Sequence, residues 1–142
     1  MKKRILSLFF ILCTALLLCA CTVTGNPIPE GMDEAAVLAA GEEIVHDLNA
    51  GNWQKIFDQL REDAQTSTGS PAAIQAHMES VLAKVGPFEK LKDTMVTGQK
   101  VKETGELYAT AVYYCQHDKN QAMYRIAFST DMELIGLQIT EQ

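Results

Sequence analysis

An α+β domain, helices first and an antiparallel sheet after them, is what this sequence predicts, on three observations. Apolar residues recur at helical spacing from Val37 to Val85. From Phe88 onward the spacing shortens towards two, in runs rich in tyrosine and β-branched residues. Gly86-Pro87 stands between the two regimes as a helix stop. Helices gathered before strands predict three helices lying on one face of a curved, four-stranded antiparallel sheet.

The chain opens with Lys2, Lys3 and Arg4, then the apolar run Ile5 to Cys21. That run has secretory-signal length and falls short of the roughly 20 apolar residues a membrane span needs. It ends in Leu18-Cys19-Ala20-Cys21, which resembles the processing site of bacterial lipoproteins: a branched residue, two small ones, then the Cys that receives lipid. An ordinary signal-peptidase site fits less well, because Leu18 occupies the outer flank where a small residue belongs. Cys19 is a poorer acceptor than Cys21, since Leu18 directly before it is not small. The expected organisation is a signal peptide over 1–20, a lipidated Cys21 with a tether to residue 31, and one domain over 32–142. Two or three acyl chains, palmitate among them, would hold such a protein durably on the extracytoplasmic face of a membrane, where a single chain holds only marginally.

Loss of the signal takes three of the twelve Lys and Arg and none of the eighteen Asp and Glu, so the mature net charge is −9. No basic patch occurs, and a surface of that sign repels phosphate backbones, which argues against nucleic acid as a partner. After lipidation Cys115 is the remaining thiol, so an intrachain disulfide is excluded and the core must carry the fold. Gly25, Pro27, Pro29 and Gly31 break up regular structure in the tether.

Asp33 caps a first helix reaching about Ala50, with Val37, Gly41, Ile44, Val45 and Leu48 on one stripe and Glu42, Glu43 and His46 turned away. Gly51 stops it, and Asn52 is placed to cap a second helix carrying Trp53, Ile56, Phe57 and Leu60. Ala64 to Gly69, small and polar, reads as a loop. Ser70-Pro71 then starts a third helix with Ile74, Met78, Val81, Leu82 and Val85 inward. A long, less regular strand is expected over Phe88 to Lys102, turning at Thr104-Gly105. The Leu107–Gln116 run is the clearest strand, His117 to Asn120 a turn, Ala122–Phe128 a third strand and Glu133–Thr140 a fourth, with Ile135, Leu137 and Ile139 on one side.

This order resembles the cystatin-like, or nuclear-transport-factor-two-like, cone. Leu48-Asn49-Ala50-Gly51-Asn52-Trp53 with Ile56-Phe57, then Val85-Gly86-Pro87-Phe88 and Leu134-Ile135-Gly136-Leu137, resemble the bacterial domain-of-unknown-function family thirty-eight eighty-seven. That family occurs in small lipoproteins and ahead of some secreted α/β-hydrolases. The resemblance spans roughly Ala35 to Thr140 and implies a fold without a catalytic signature. Where relatives often carry an aromatic in the third helix, this chain has Met78.

Three groupings bear on chemistry. Glu43-Ile44-Val45-His46 has Glu-x-x-His spacing, but a carboxylate metal site needs two copies projecting into a bundle, and His46 points away from the apolar stripe. Cys115 and His117 share a strand face; a nucleophilic pair would need an acidic thiol and a third group orienting the His, so a buried thiol beside a turn histidine is the plainer reading. His77 lies at the margin of the third helix's stripe, where cone-fold enzymes bury an acid or His with tyrosines nearby, but a hydrogen-bonded border histidine is simpler. Trp53, Phe57, His77, Tyr108, Tyr113 and Tyr124 are the residues that would line a pocket, and either parity of each strand fits the pattern. No catalytic set, metal site or cofactor is expected. The function expected is non-enzymatic: a membrane-anchored lipoprotein binding a protein partner or a small apolar ligand. The alternatives are a small isomerase- or hydrolase-like enzyme using His77 with a tyrosine, and a module that forms a homodimer through its open sheet face.

Overall fold

A computed structural model of the chain describes residues 25–142. The signal segment and Cys21 lie outside the described residues. Four helices, α1 (Glu34–Ala50), α2 (Trp53–Gln59), α3 (Glu62–Thr68) and α4 (Pro71–Val85), precede four strands, β1 (Phe88–Lys100), β2 (Leu107–His117), β3 (Gln121–Ser129) and β4 (Leu134–Glu141). The strands form an antiparallel meander in the order β1-β2-β3-β4. The helices cover one face, α1 lying against the first three strands and α4 against β4.

Local chemistry sets the helix starts. Asp33 accepts a hydrogen bond from the Ala36 amide, and Ser70 accepts one from Ala73 with Pro71 in the first turn. Asn52 departs from expectation: its side chain does not cap α2 but donates to Asp47 Oδ1 at 2.8 Å, while Lys55 Nζ lies 2.8 Å from Oδ2. The α1–α2 corner is thus held around one buried carboxylate.

The stretch read as a loop over Ala64–Gly69 is instead the short helix α3. Its small polar residues hide an i to i+4 pattern in which the Thr66 and Ser67 hydroxyls bond the carbonyls of Glu62 and Asp63. None of its residues is buried, so no apolar stripe marks it in the sequence.

The core lies between the helices and the inner sheet face. Ala109, Ala111, Tyr113, Cys115 and His117 on β2 and Ala122, Tyr124, Ile126 and Phe128 on β3 point into it. Three bulges explain where the period-two pattern slips. On β1, Glu89 and Lys92 are extra residues, so Phe88 pairs with His117 and Leu91 with Cys115. On β4, Leu134 pairs with Phe128 but Gly136 pairs with Ala127, which leaves Ile135 as the bulged residue. Leu134, not Ile135, therefore joins Ile139 in the core. At the other edge, Asn26 follows β1: its amide bonds Thr97 Oγ1 and its carbonyl accepts from Gly98. From Gly25 onward the chain is already seated on the domain.

Candidate functional site

A cleft of about 610 Å³ opens between α3, α4 and the outer edge of β4. Its apolar surface comes from Leu60, Ile74, Met78, Ile135, Leu137 and Ile139, and its rim from Arg61, Asp63, Ser67, Thr68, His77 and Gln138. Three local features build it. After α2 the chain runs beside β4 for one rung, a parallel bridge between Leu60 and Leu134 in which the Arg61 amide donates to the Leu134 carbonyl at 2.8 Å. It then turns away into α3, so beyond Leu134 no described strand pairs with the outer edge of β4. Finally, the bulge at Ile135 turns that side chain towards the cleft.

Arg61 closes one end. Its guanidinium bonds Asp63 and reaches across to Glu106 before β2. Those hydrogen bonds hold the carboxyls of Asp63 and Glu106 below their ordinary values. The cation is spent on its own neighbours, so the cleft presents little net charge. His77 is exposed on the rim, and among the described residues its side chain has neither a carboxylate nor a tyrosine as hydrogen-bond partner. The cleft can take up apolar surface and backbone-like hydrogen-bonding groups; among the described residues it holds no nucleophile activated by a base.

The six residues named as pocket-lining do not meet in one place. His77 lines the cleft. Trp53 and Phe57 are half-buried and pack against the core. Tyr108 lies on the outer sheet face, in a groove of about 430 Å³ with Thr110, Val112, Tyr114 and Arg125. Tyr113 and Tyr124 are fully buried on the inner face; Tyr113 donates to the Leu38 carbonyl.

Tyr124 belongs to a network that sequence reasoning missed. His117 is not a turn residue but the last of β2, and it is fully buried. Its Nδ1 lies 2.7 Å from the Gly86 carbonyl, which can only accept, so Nδ1 carries the proton. Nε2 then accepts from the Tyr124 hydroxyl at 3.0 Å, and that oxygen accepts from Asn49 Nδ2 at 2.9 Å. Both nitrogens of His117 are thereby occupied, and neither is left to serve Cys115 as a base: burial, then the charge of Glu42, pushes its thiol up to about 11. The sequence signal was present in the alternation of β2, where Tyr113, Cys115 and His117 share a face. His46 is exposed, with Glu42 Oε1 3.7 Å from Nε2, and among the described residues no cluster of three or more His, Cys, Asp or Glu is placed to hold a metal.

The family model described as "Protein of unknown function (DUF3887)" matches residues 41–137. The chain belongs to this family. The matched stretch of the DUF3887 chain runs from Gly41 in α1 to Leu137 in β4, so it includes the cleft lining from Leu60 to Leu137 and stops short of Gln138 and Ile139. An NMR structure of a protein from Ruminococcus gnavus ATCC 29149 is similar, with a TM-score of 0.65 at 19% identity, over 80% of this chain and 96% of that one. At that identity the likeness shows a shared fold alone. No curated protein matches the chain.

Proposed function

We propose that this DUF3887 protein is an extracytoplasmic lipoprotein, anchored through acyl chains on Cys21, that works by binding rather than by catalysis, with the cleft beside β4 as its binding seat. The observation that carries the reading is the cleft's composition: an apolar floor and a rim of neutral polar groups with one arginine–aspartate ion pair, Arg61 with Asp63. That is the general form of a site that takes up apolar surface and orients it with few hydrogen bonds. The Leu18-Cys19-Ala20-Cys21 pattern supports the lipid as the means of attachment; among the described residues no helix is long and apolar enough to cross a membrane. Gly25 is the fourth residue after Cys21, at most roughly 14 Å of extended chain away, which would keep the domain close to the bilayer. Asn26, the next residue, bonds Thr97 on β1, the opposite edge of the sheet from β4. Attachment at β1 would leave the cleft facing away from its anchor.

Two measurements test this. Cys21→Ser should move the protein from the membrane fraction to the soluble one; continued sedimentation with membranes would contradict the anchor. The mature protein should bind a neutral apolar dye such as Nile red, and Ser67→Trp, an exposed position whose new ring fills the cleft, should weaken that binding at least tenfold without unfolding the domain. Dye binding unchanged by Ser67→Trp would place the seat elsewhere.

A further inference from the structure

We infer that the occupant of the cleft is an extended segment of another polypeptide, apolar at alternate positions and basic in its flanks, which adds to the sheet as a fifth strand beside β4. This rests on the reading of the cleft as the binding seat.

The chain itself shows the first rung. Leu60 and Arg61 lie beside the start of β4 in parallel register and bond it through backbone. The chain then leaves for α3, and the strand position it has begun runs on, unfilled by any described residue, along Ile135 to Ile139. An open edge presents a row of backbone donors and acceptors, which is what strand addition uses for affinity. Pockets for alternate side chains give such sites their specificity. Here one side of the position is floored by Ile74, Met78, Leu137 and Ile139, while the other faces solvent past Gln138. Five residues of strand span about 17 Å, enough for two or three inward side chains.

Charge selects the flanks. The described residues carry nine Lys and Arg against eighteen Asp and Glu, a net charge of −9, and Arg61 at the cleft is neutralised by its own partners. A field of that sign draws a basic segment in and repels an acidic one. A small apolar molecule would use the floor and leave the edge of β4 unpaired.

The test is selection of a displayed library of random dodecapeptides against the full mature protein in detergent micelles. Enriched sequences are expected to alternate apolar and polar residues and to carry Lys or Arg at their ends. A synthetic peptide of the enriched sequence should lose at least tenfold in affinity when alternate backbone nitrogens are methylated, a change that leaves both the protein and the peptide side chains intact. Ile135→Lys, which puts a charge on the half-buried bulge and not in the core, should cost a similar factor. Failure to enrich any peptide while Nile red still binds and Ser67→Trp still blocks it would overturn strand addition and leave the cleft as the seat. Peptides that tolerate N-methylation would also overturn it. Loss of both peptide and dye binding would remove the cleft reading as well.

Discussion

Single side chains decide whether this core is one defined state. His117 is buried with both nitrogens satisfied, and removing one partner leaves a polar atom stranded away from water. Tyr124→Phe should therefore destabilise the domain by about 1–3 kcal/mol, read as a lower urea midpoint at unchanged slope. Gly41 is buried against the Tyr113 hydroxyl, and a Cβ there would overlap it. Gly41→Ala should cost about 1–3 kcal/mol by overpacking and displace Tyr113 from the Leu38 carbonyl. Titration behaviour follows from burial. Burial pushes the Cys115 thiol up to about 11; burial, partly offset by the Asn49 hydrogen bond, pushes the Tyr124 hydroxyl up to about 12. Acids whose folded values are raised add stability that is complete below their ordinary values and lost as pH rises through the folded ones. The urea midpoint should hold to about pH 9 and fall steeply by about pH 12, and Cys115 should resist alkylation at pH 8 until the domain is unfolded.

At the scale of elements, ends and interruptions carry the prediction. Ser70→Ala removes the acceptor for the Ala73 amide at the start of α4 and should cost about 1 kcal/mol. Because α4 forms one wall of the cleft, the same variant should also weaken dye binding, whereas Asp33→Ala at α1, remote from the cleft, should cost similar stability and leave dye binding unchanged. The elements were legible wherever one apolar stripe and a stop signal coincided. Val37 to Leu48 with Gly51, Ile74 to Val85 with Gly86-Pro87, and the alternation of β2 and β3 all read directly as what they form. The segment over Glu62–Thr68 was not legible, because a short exposed helix needs no apolar stripe. The bulge at Ile135 was hidden for the opposite reason: Leu134, Ile135 and Leu137 are all apolar, and only pairing with Phe128 and Ala127 shows which of them steps out.

For the whole molecule, the site was less legible than the fold because its walls are distant in sequence and joined by no motif. His77 was singled out and does line the cleft, but its expected tyrosine partners lie elsewhere: Tyr113 and Tyr124 are engaged in the core and Tyr108 faces the other side of the sheet. Leu60, Arg61 and Ile135 define the cleft through one bridge and one bulge, neither of which has a sequence signature. What results is a sheet with β1 overlaid by the incoming chain near Asn26 and β4 paired, among the described residues, on its outer edge at Leu134 alone. The outer sheet groove with Tyr108 and Arg125 is the rival surface, and a homodimer would use it. The direct discrimination is an amide chemical-shift map of the mature protein during titration with Nile red. The account predicts that the responding amides fall in residues 60–68, 74–78 and 134–139. A response centred on Tyr108, Thr110, Tyr114 and Arg125, with those segments silent, would contradict it.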